Sequence, residues 1–176
     1  MRLYAFAACA LALLLTACGG GDSAGKGSPV AAQRRIAEPC ALAPDTQALF
    51  GVAIEGEKRE PVGTMAGNCR WDGPNGAIFA EIVIYTAGST DRWASEGAEA
   101  FATRMAEGWT ATSFQPATPI EGVADGALLT PMPNGGVNAF VRKGDTVVFV
   151  MANSIDPRRS SEAIARGLVA AVAPRL

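Results

Sequence analysis

The sequence predicts an α+β fold, a twisted antiparallel sheet packed by helices, and three observations carry that prediction. Residues 77–86 alternate, with Ile78, Ala80, Ile82 and Ile84 on one face and Phe79, Glu81, Val83 and Tyr85 on the other. Residues 137–153 read as a hairpin turning at Lys143-Gly144-Asp145. Two further stretches carry helical spacing: Trp93, Gly97, Phe101 and Met105 in the middle of the chain, and Ile164, Leu168 and Val172 near its end. Strands joined by tight turns, with helices grouped between them, indicate antiparallel pairing and one mixed domain.

Each element follows from local chemistry. Pro44-Asp45 ahead of residues 46–50, with Gly51 behind them, predicts a short helix. Residues 55–64 are charged and broken by Gly and Pro, so they form an exposed loop or edge. Asn68-Cys69-Arg70-Trp71 begins a strand, and Asp72-Gly73-Pro74-Asn75-Gly76 turns it into residues 77–86. One apolar and one mixed face place that strand in a sheet covered on at least one side. Residues 91–107 form an amphipathic helix, capped by Thr90 or Asp91 and stopped by Gly108. Residues 109–114 and 126–129 are shorter strand candidates. Val147-Val148-Phe149-Val150-Met151 is apolar on both faces and belongs at the centre of the sheet. Asp156-Pro157 opens the last helix. No internal repeat is present.

The N-terminus has a different character. Hydrophobic residues make up 49% of the 176, and 15 of them fall in residues 1–17. A charged start, an apolar run from Leu3 to Leu15 and small residues beyond it read as a secretory signal peptide over residues 1–17. The run is shorter than the roughly 20 residues that span a bilayer. Leu15-Thr16-Ala17-Cys18 resembles the lipobox of bacterial lipoproteins. That resemblance implies cleavage before Cys18, a diacylglycerol thioether on Cys18 and acylation of the new amino group. At about 0.8 kcal/mol per buried methylene, several chains anchor a soluble domain where one does not. Gly19 is not Asp, which in a two-membrane bacterium points to the periplasmic side of the outer membrane. Residues 18–38 then carry the lipid and a Gly/Ala/Ser-rich tether, holding the domain about 25 Å from the bilayer as a coil. Arg34-Arg35 reads as part of this solvated linker rather than as a headgroup contact. The globular domain occupies residues 39–176.

Four cysteines have three fates. Cys9 leaves with the signal and Cys18 takes the lipid. Cys40 and Cys69 remain, an even number in an oxidising compartment, and are read as a disulfide. A redox site competes poorly because it wants Cys-x-x-Cys, and a metal site because the chain has no histidine to complete it.

Several short motifs recur together: Cys40-Ala41-Leu42 opening a short helix, Cys69-Arg70-Trp71 entering a strand, Gly122-Val123-Ala124-Asp125-Gly126-Ala127, and a late hairpin through Gly144-Asp145-Thr146-Val147-Val148-Phe149-Val150. In this the chain resembles the small exported lipoproteins of unknown function that share a PsbP-like α/β/α fold. The likeness spans residues 40–176. It implies the paired cysteines and a sheet between helices, and it implies no catalytic residues.

Charge and composition narrow the chemistry. Fifteen basic against 17 acidic residues give a net charge of −2, which disfavours nucleic acid as a partner. The absence of histidine removes Ser-His-Asp and Cys-His mechanisms. Glu55, Glu57 and Glu60 are interleaved with Lys58 and Arg59 and read as a solvated loop rather than a catalytic or calcium-holding cluster. Asp125 organises a turn, and Ser160-Ser161 caps or meets solvent. Trp93 belongs to a helix stripe, while Trp71 and Trp109 stand open between core and cleft.

No catalytic residue, metal ligand or cofactor is assigned, and the sequence names no ligand-binding residue. The reading is a lipid-anchored cell-envelope lipoprotein, held to the membrane by its acyl chains. It acts as a non-catalytic binding or accessory module for another envelope component. The alternative is a carrier of a small apolar ligand or lipid, in a cavity lined by residues such as Phe79, Phe101, Trp109 and Phe149.

Overall fold

In a computed structural model, which describes residues 34–88, 91–113 and 115–176, the alternating segments pair into one seven-stranded sheet. The expected signal segment, Cys18 and most of the tether lie outside the described residues, as do Thr90 and the side chains of Trp93 and Trp109. The chain runs α1 (Thr46–Phe50), β1 (Glu57–Arg59), β2 (Gly67–Asp72), β3 (Ile78–Thr86), α2 (Asp91–Ser113), β4 (Thr118–Pro119), β5 (Gly126–Pro131), β6 (Val137–Lys143), β7 (Thr146–Ser154) and α3 (Ser161–Val172). The spatial order is β1-β2-β3-β7-β6-β5-β4, and every neighbouring pair is antiparallel. The doubly apolar β7 occupies the middle of the seven, as its composition predicts.

Period-two alternation divides the sheet into two faces. Ile78, Ile82 and Ile84 of β3, Val148 and Val150 of β7 and Val141 of β6 point to the first face. There they meet Ile164, Leu168 and Val172 of α3 and Phe50 of α1, all nearly inaccessible to water. The second face carries Val83, Phe140 and Phe149, packed against Phe101, Ala102 and Ala106 of α2. Helices therefore lie on both faces, and the architecture is α+β with an antiparallel sheet between them.

The first face is pinned by a covalent bond. Cys40 and Cys69 form a disulfide with their Cα atoms 5.1 Å apart. Trp71, two residues along β2 from Cys69, is 1% exposed and packs its ring against Phe50 with centroids 5.9 Å apart. This resolves Trp71 as core. Asp45 accepts from Ala48 N at 2.9 Å to start α1, and Gly51 ends it with φ +74, a conformation that favours glycine.

Four local readings change. Residues 109–113, expected as a strand, continue α2, because Gly108 does not stop the helix and Thr112 Oγ1 donates back to Gly108 O at 3.0 Å. A glycine inside a helix costs only about 1 kcal/mol, which the packing of Ala102 and Ala106 offsets. The break falls instead at Gly97, where φ +80 and ψ 163 interrupt the helical geometry. The last helix starts at Ser161 rather than at Asp156-Pro157; Ser160 caps it by accepting from Ala163 N at 3.1 Å. Arg34–Glu38, read with the tether, lie against the domain. Ile36 N donates to Ala66 O at 2.8 Å, Thr86 Oγ1 donates to Arg34 O, and Arg34 Nη2 donates to Thr146 Oγ1 at 2.8 Å.

Candidate functional site

The residues between β4 and β5 and the exposed end of β6 build a cleft on the second face. Ile120 N donates to Ala127 O at 2.8 Å, closing residues 120–127 into a loop that stands beside α2. Within the loop Ala124 adopts φ +46, a left-handed conformation that costs an L-residue roughly 1 kcal/mol. Asp125 holds the loop in that shape. Its N–H donates to Arg142 O at 3.0 Å, and its Oδ2 accepts from Gly144 N at 2.6 Å in the β6–β7 turn. Asp125 thus organises a turn, though the turn it grips belongs to the neighbouring hairpin.

The resulting cleft has a volume of about 390 Å³. Ile120, Val123, Leu128 and Phe140 give it an apolar floor, and Glu99, Glu121, Asp125 and Arg142 ring it with charge. Arg142 Nη2 donates to Asp125 O at 3.1 Å, while the carboxylates of Asp125 and Glu99 stand at 3.8 and 3.9 Å. The guanidinium is thereby partly neutralised without a bidentate bridge. Such a lining suits a ligand with an apolar body and a polar rim. Among the described residues Thr103 is its one hydroxyl-bearing side chain, and it carries no thiol. No group of metal-ligating side chains occurs among the described residues.

Other residues singled out by sequence fall apart in space. Glu55, Glu57 and Glu60 are exposed along edge strand β1, where Arg59 reaches Glu57 at 3.3 Å and Lys58 reaches Glu38 at 3.7 Å. Ser160 is a helix cap. Ser161 is buried, donating to Gly135 O at 2.8 Å and accepting from Ser154 N at 3.0 Å. Phe101 packs edge-on against Tyr85 and Phe149 stacks on Phe140, so both fill core. Phe79 lies toward the opposite end of β3 from Tyr85, so these aromatics do not surround one cavity.

Two shifted acids mark the surface electrostatics. The guanidinium of Arg70, bonded to Asp72 at 2.6 and 2.8 Å, holds the Asp72 carboxyl below its usual range. Three hydrogen bonds from Arg158 lower Asp156 to about 2. Burial pushes the Tyr85 phenol up, and the Glu81 carboxylate adds to it. None of these three groups lines the cleft.

Arg142 is the cleft residue that sequence reasoning passed over. Its signal was a charged side chain directly after the apolar Ala139-Phe140-Val141 of β6. No family model, curated protein or solved structure matches the chain. Among the described residues, no helix is long and apolar enough to cross a membrane.

Proposed function

We propose that the chain is a lipid-anchored lipoprotein of the cell envelope, with a PsbP-like domain that acts as a non-catalytic binding or accessory module for another envelope component. The observation that carries this reading is Leu15-Thr16-Ala17-Cys18 directly after an apolar run too short to span a bilayer. Acylation of Cys18 ties the domain to the membrane by several chains, on the periplasmic side of the outer membrane where two membranes exist. A disulfide between Cys40 and Cys69 accords with export to an oxidising compartment. The cleft beside α2, apolar below and charged at its rim, offers a surface for recognition.

The anchor is tested by Cys18→Ser. The variant leaves the membrane fraction and loses the mass of its acyl chains; a variant still held at the membrane overturns the lipid assignment.

A further inference from the structure

The register of the sheet assembles a polar row on the second face that no single segment displays. Thr130 stands opposite Asn138, Asn138 opposite Met151, and Met151 opposite Glu81. Thr130 and Asn138 are 0% and 4% exposed. Neither Thr130 Oγ1 nor Asn138 Nδ2 has a partner among the described residues. A buried amide without a partner has given up water for nothing, which native structures rarely tolerate without a reason.

Asn138 lines a second, smaller pocket of about 210 Å³ at the end of the sheet away from Arg142. Asn134, Asn153, Phe79, Met132 and Met151 line it as well. No charged side chain lines it. Asn134 Oδ1 is occupied, accepting from Gly136 N at 3.0 Å. The Phe79 ring is held in place by the Arg70 guanidinium, 4.8 Å from its centroid. The two thioethers add a deformable apolar wall.

We propose that this pocket is a sugar subsite, taking one uncharged, hydroxyl-bearing ring of a glycan. A ring hydroxyl accepts from Asn138 Nδ2, the Asn153 amide meets a second hydroxyl, and the C–H side of the ring lies against Phe79 and Met151. Three observations select this chemistry. The unpartnered donor calls for a neutral or weakly basic oxygen rather than an apolar group. The uncharged wall offers nothing to a carboxylate or an amine. The volume lies below the roughly 300–1,000 Å³ of drug-sized sites, so it admits one ring of a longer molecule. The proposal rests on the reading of the domain as a binding module, and not on the lipid anchor.

The test is calorimetry on the full purified chain. The probes are maltotriose and the N-acetylglucosamine trimer as neutral glycans, the galacturonic acid trimer as an acidic one, and blocked trialanine as a peptide. One neutral trisaccharide binds saturably, with a dissociation constant in the millimolar range or tighter, and the acidic trimer binds at least about tenfold more weakly. Asn138→Leu, close in shape, weakens binding at least about tenfold and leaves the melting temperature unchanged or raised, because it removes an unpaired buried group. Asn153→Ala, at the half-buried end of β7, weakens binding several-fold with an unchanged melting temperature. The proposal is overturned by absence of neutral-glycan binding, by equal or tighter binding of the peptide, or by affinity unchanged in both variants. A melting temperature lowered by Asn138→Leu also overturns it, since Asn138 is then satisfied within the protein itself. Loss of membrane release in Cys18→Ser bears only on the anchor, so the two readings fail separately.

Discussion

The two faces of the sheet are built from the same strands and differ in what they tolerate. On the first face, alternate residues of β2, β3, β6 and β7 meet α1 and α3 through apolar side chains, and a disulfide ties the N-terminal turn to β2. On the second, α2 covers only the rows around Phe140 and Phe149, leaving buried polar atoms, a cleft beside the helix and a smaller pocket at the other end of the sheet. The difference teaches where stability and recognition reside. A sheet sealed on one side can leave the other imperfect, and imperfect packing is where a ligand gains by binding.

The largest effect that sharpens this contrast belongs to the first face. Trp71 packs against Phe50, and Gly56 lies so close that a Cβ there would come within 2.6 Å of Trp71 Nε1 and 2.9 Å of Cys69 Sγ. A site that tight cannot collapse around a missing ring. Trp71→Ala costs about 3–5 kcal/mol of stability in urea unfolding, in line with large-to-small core changes. A cost under about 1 kcal/mol would show that this face is no better packed than the other.

Much of the first face was legible in the sequence, because one strand's alternation reports one face without help from its neighbours. Ile78, Ala80, Ile82 and Ile84 declare a buried side by themselves, and the apolar β7 declares its central place. The second face was not legible for the opposite reason. Asn138 acquires its neighbours Thr130 and Met151 only through register, and Arg142 meets Asp125, 17 residues away, only because β5 pairs with β6. Its helix runs on through Gly108, which the sequence marks as a stop, since glycine's cost is small against the tertiary packing of Ala102 and Ala106. The two-residue β4, with a proline in it, is too short to carry any period.

A smaller effect probes the second face. Asp125 anchors the loop of the larger cleft by accepting from Gly144 N at 2.6 Å. Asp125→Ala removes one half-exposed charge-assisted bond, so the domain loses only about 1 kcal/mol. Amide hydrogen exchange at Gly144 speeds up, while amides of β2 and α3 keep their protection. Equal acceleration on both faces would mean that the loop and the sealed core open as one unit, with no division between the two faces.

The smallest effect compares two Arg–Asp pairs, one on each side of this division. Arg70–Asp72 lies on the second face beside Phe79, and Arg158–Asp156 lies in the turn that leads into α3. Both carboxyls are held below the ordinary range, Asp72 by the Arg70 hydrogen bonds and Asp156, at about 2, by side-chain and backbone bonds from Arg158. A folded pKa below the unfolded one stabilises the fold fully above about pH 4, and that contribution fades as pH falls through the folded value. Carbon-13 titration of the side-chain carboxyls therefore finds Asp156 still largely ionised at pH 3, and Asp72 titrating below an unperturbed aspartate. In Asp156→Asn, the stability difference from wild type is present at pH 6 and fades as pH falls through about 2. Because the Arg158 guanidinium is exposed, added salt narrows that difference at pH 6. An Asp156 midpoint near 4 would mean that the Arg158 side chain samples solvent rather than its carboxylate. The turn into α3 would then be held by the Ser160 cap and the apolar stripe of the helix alone.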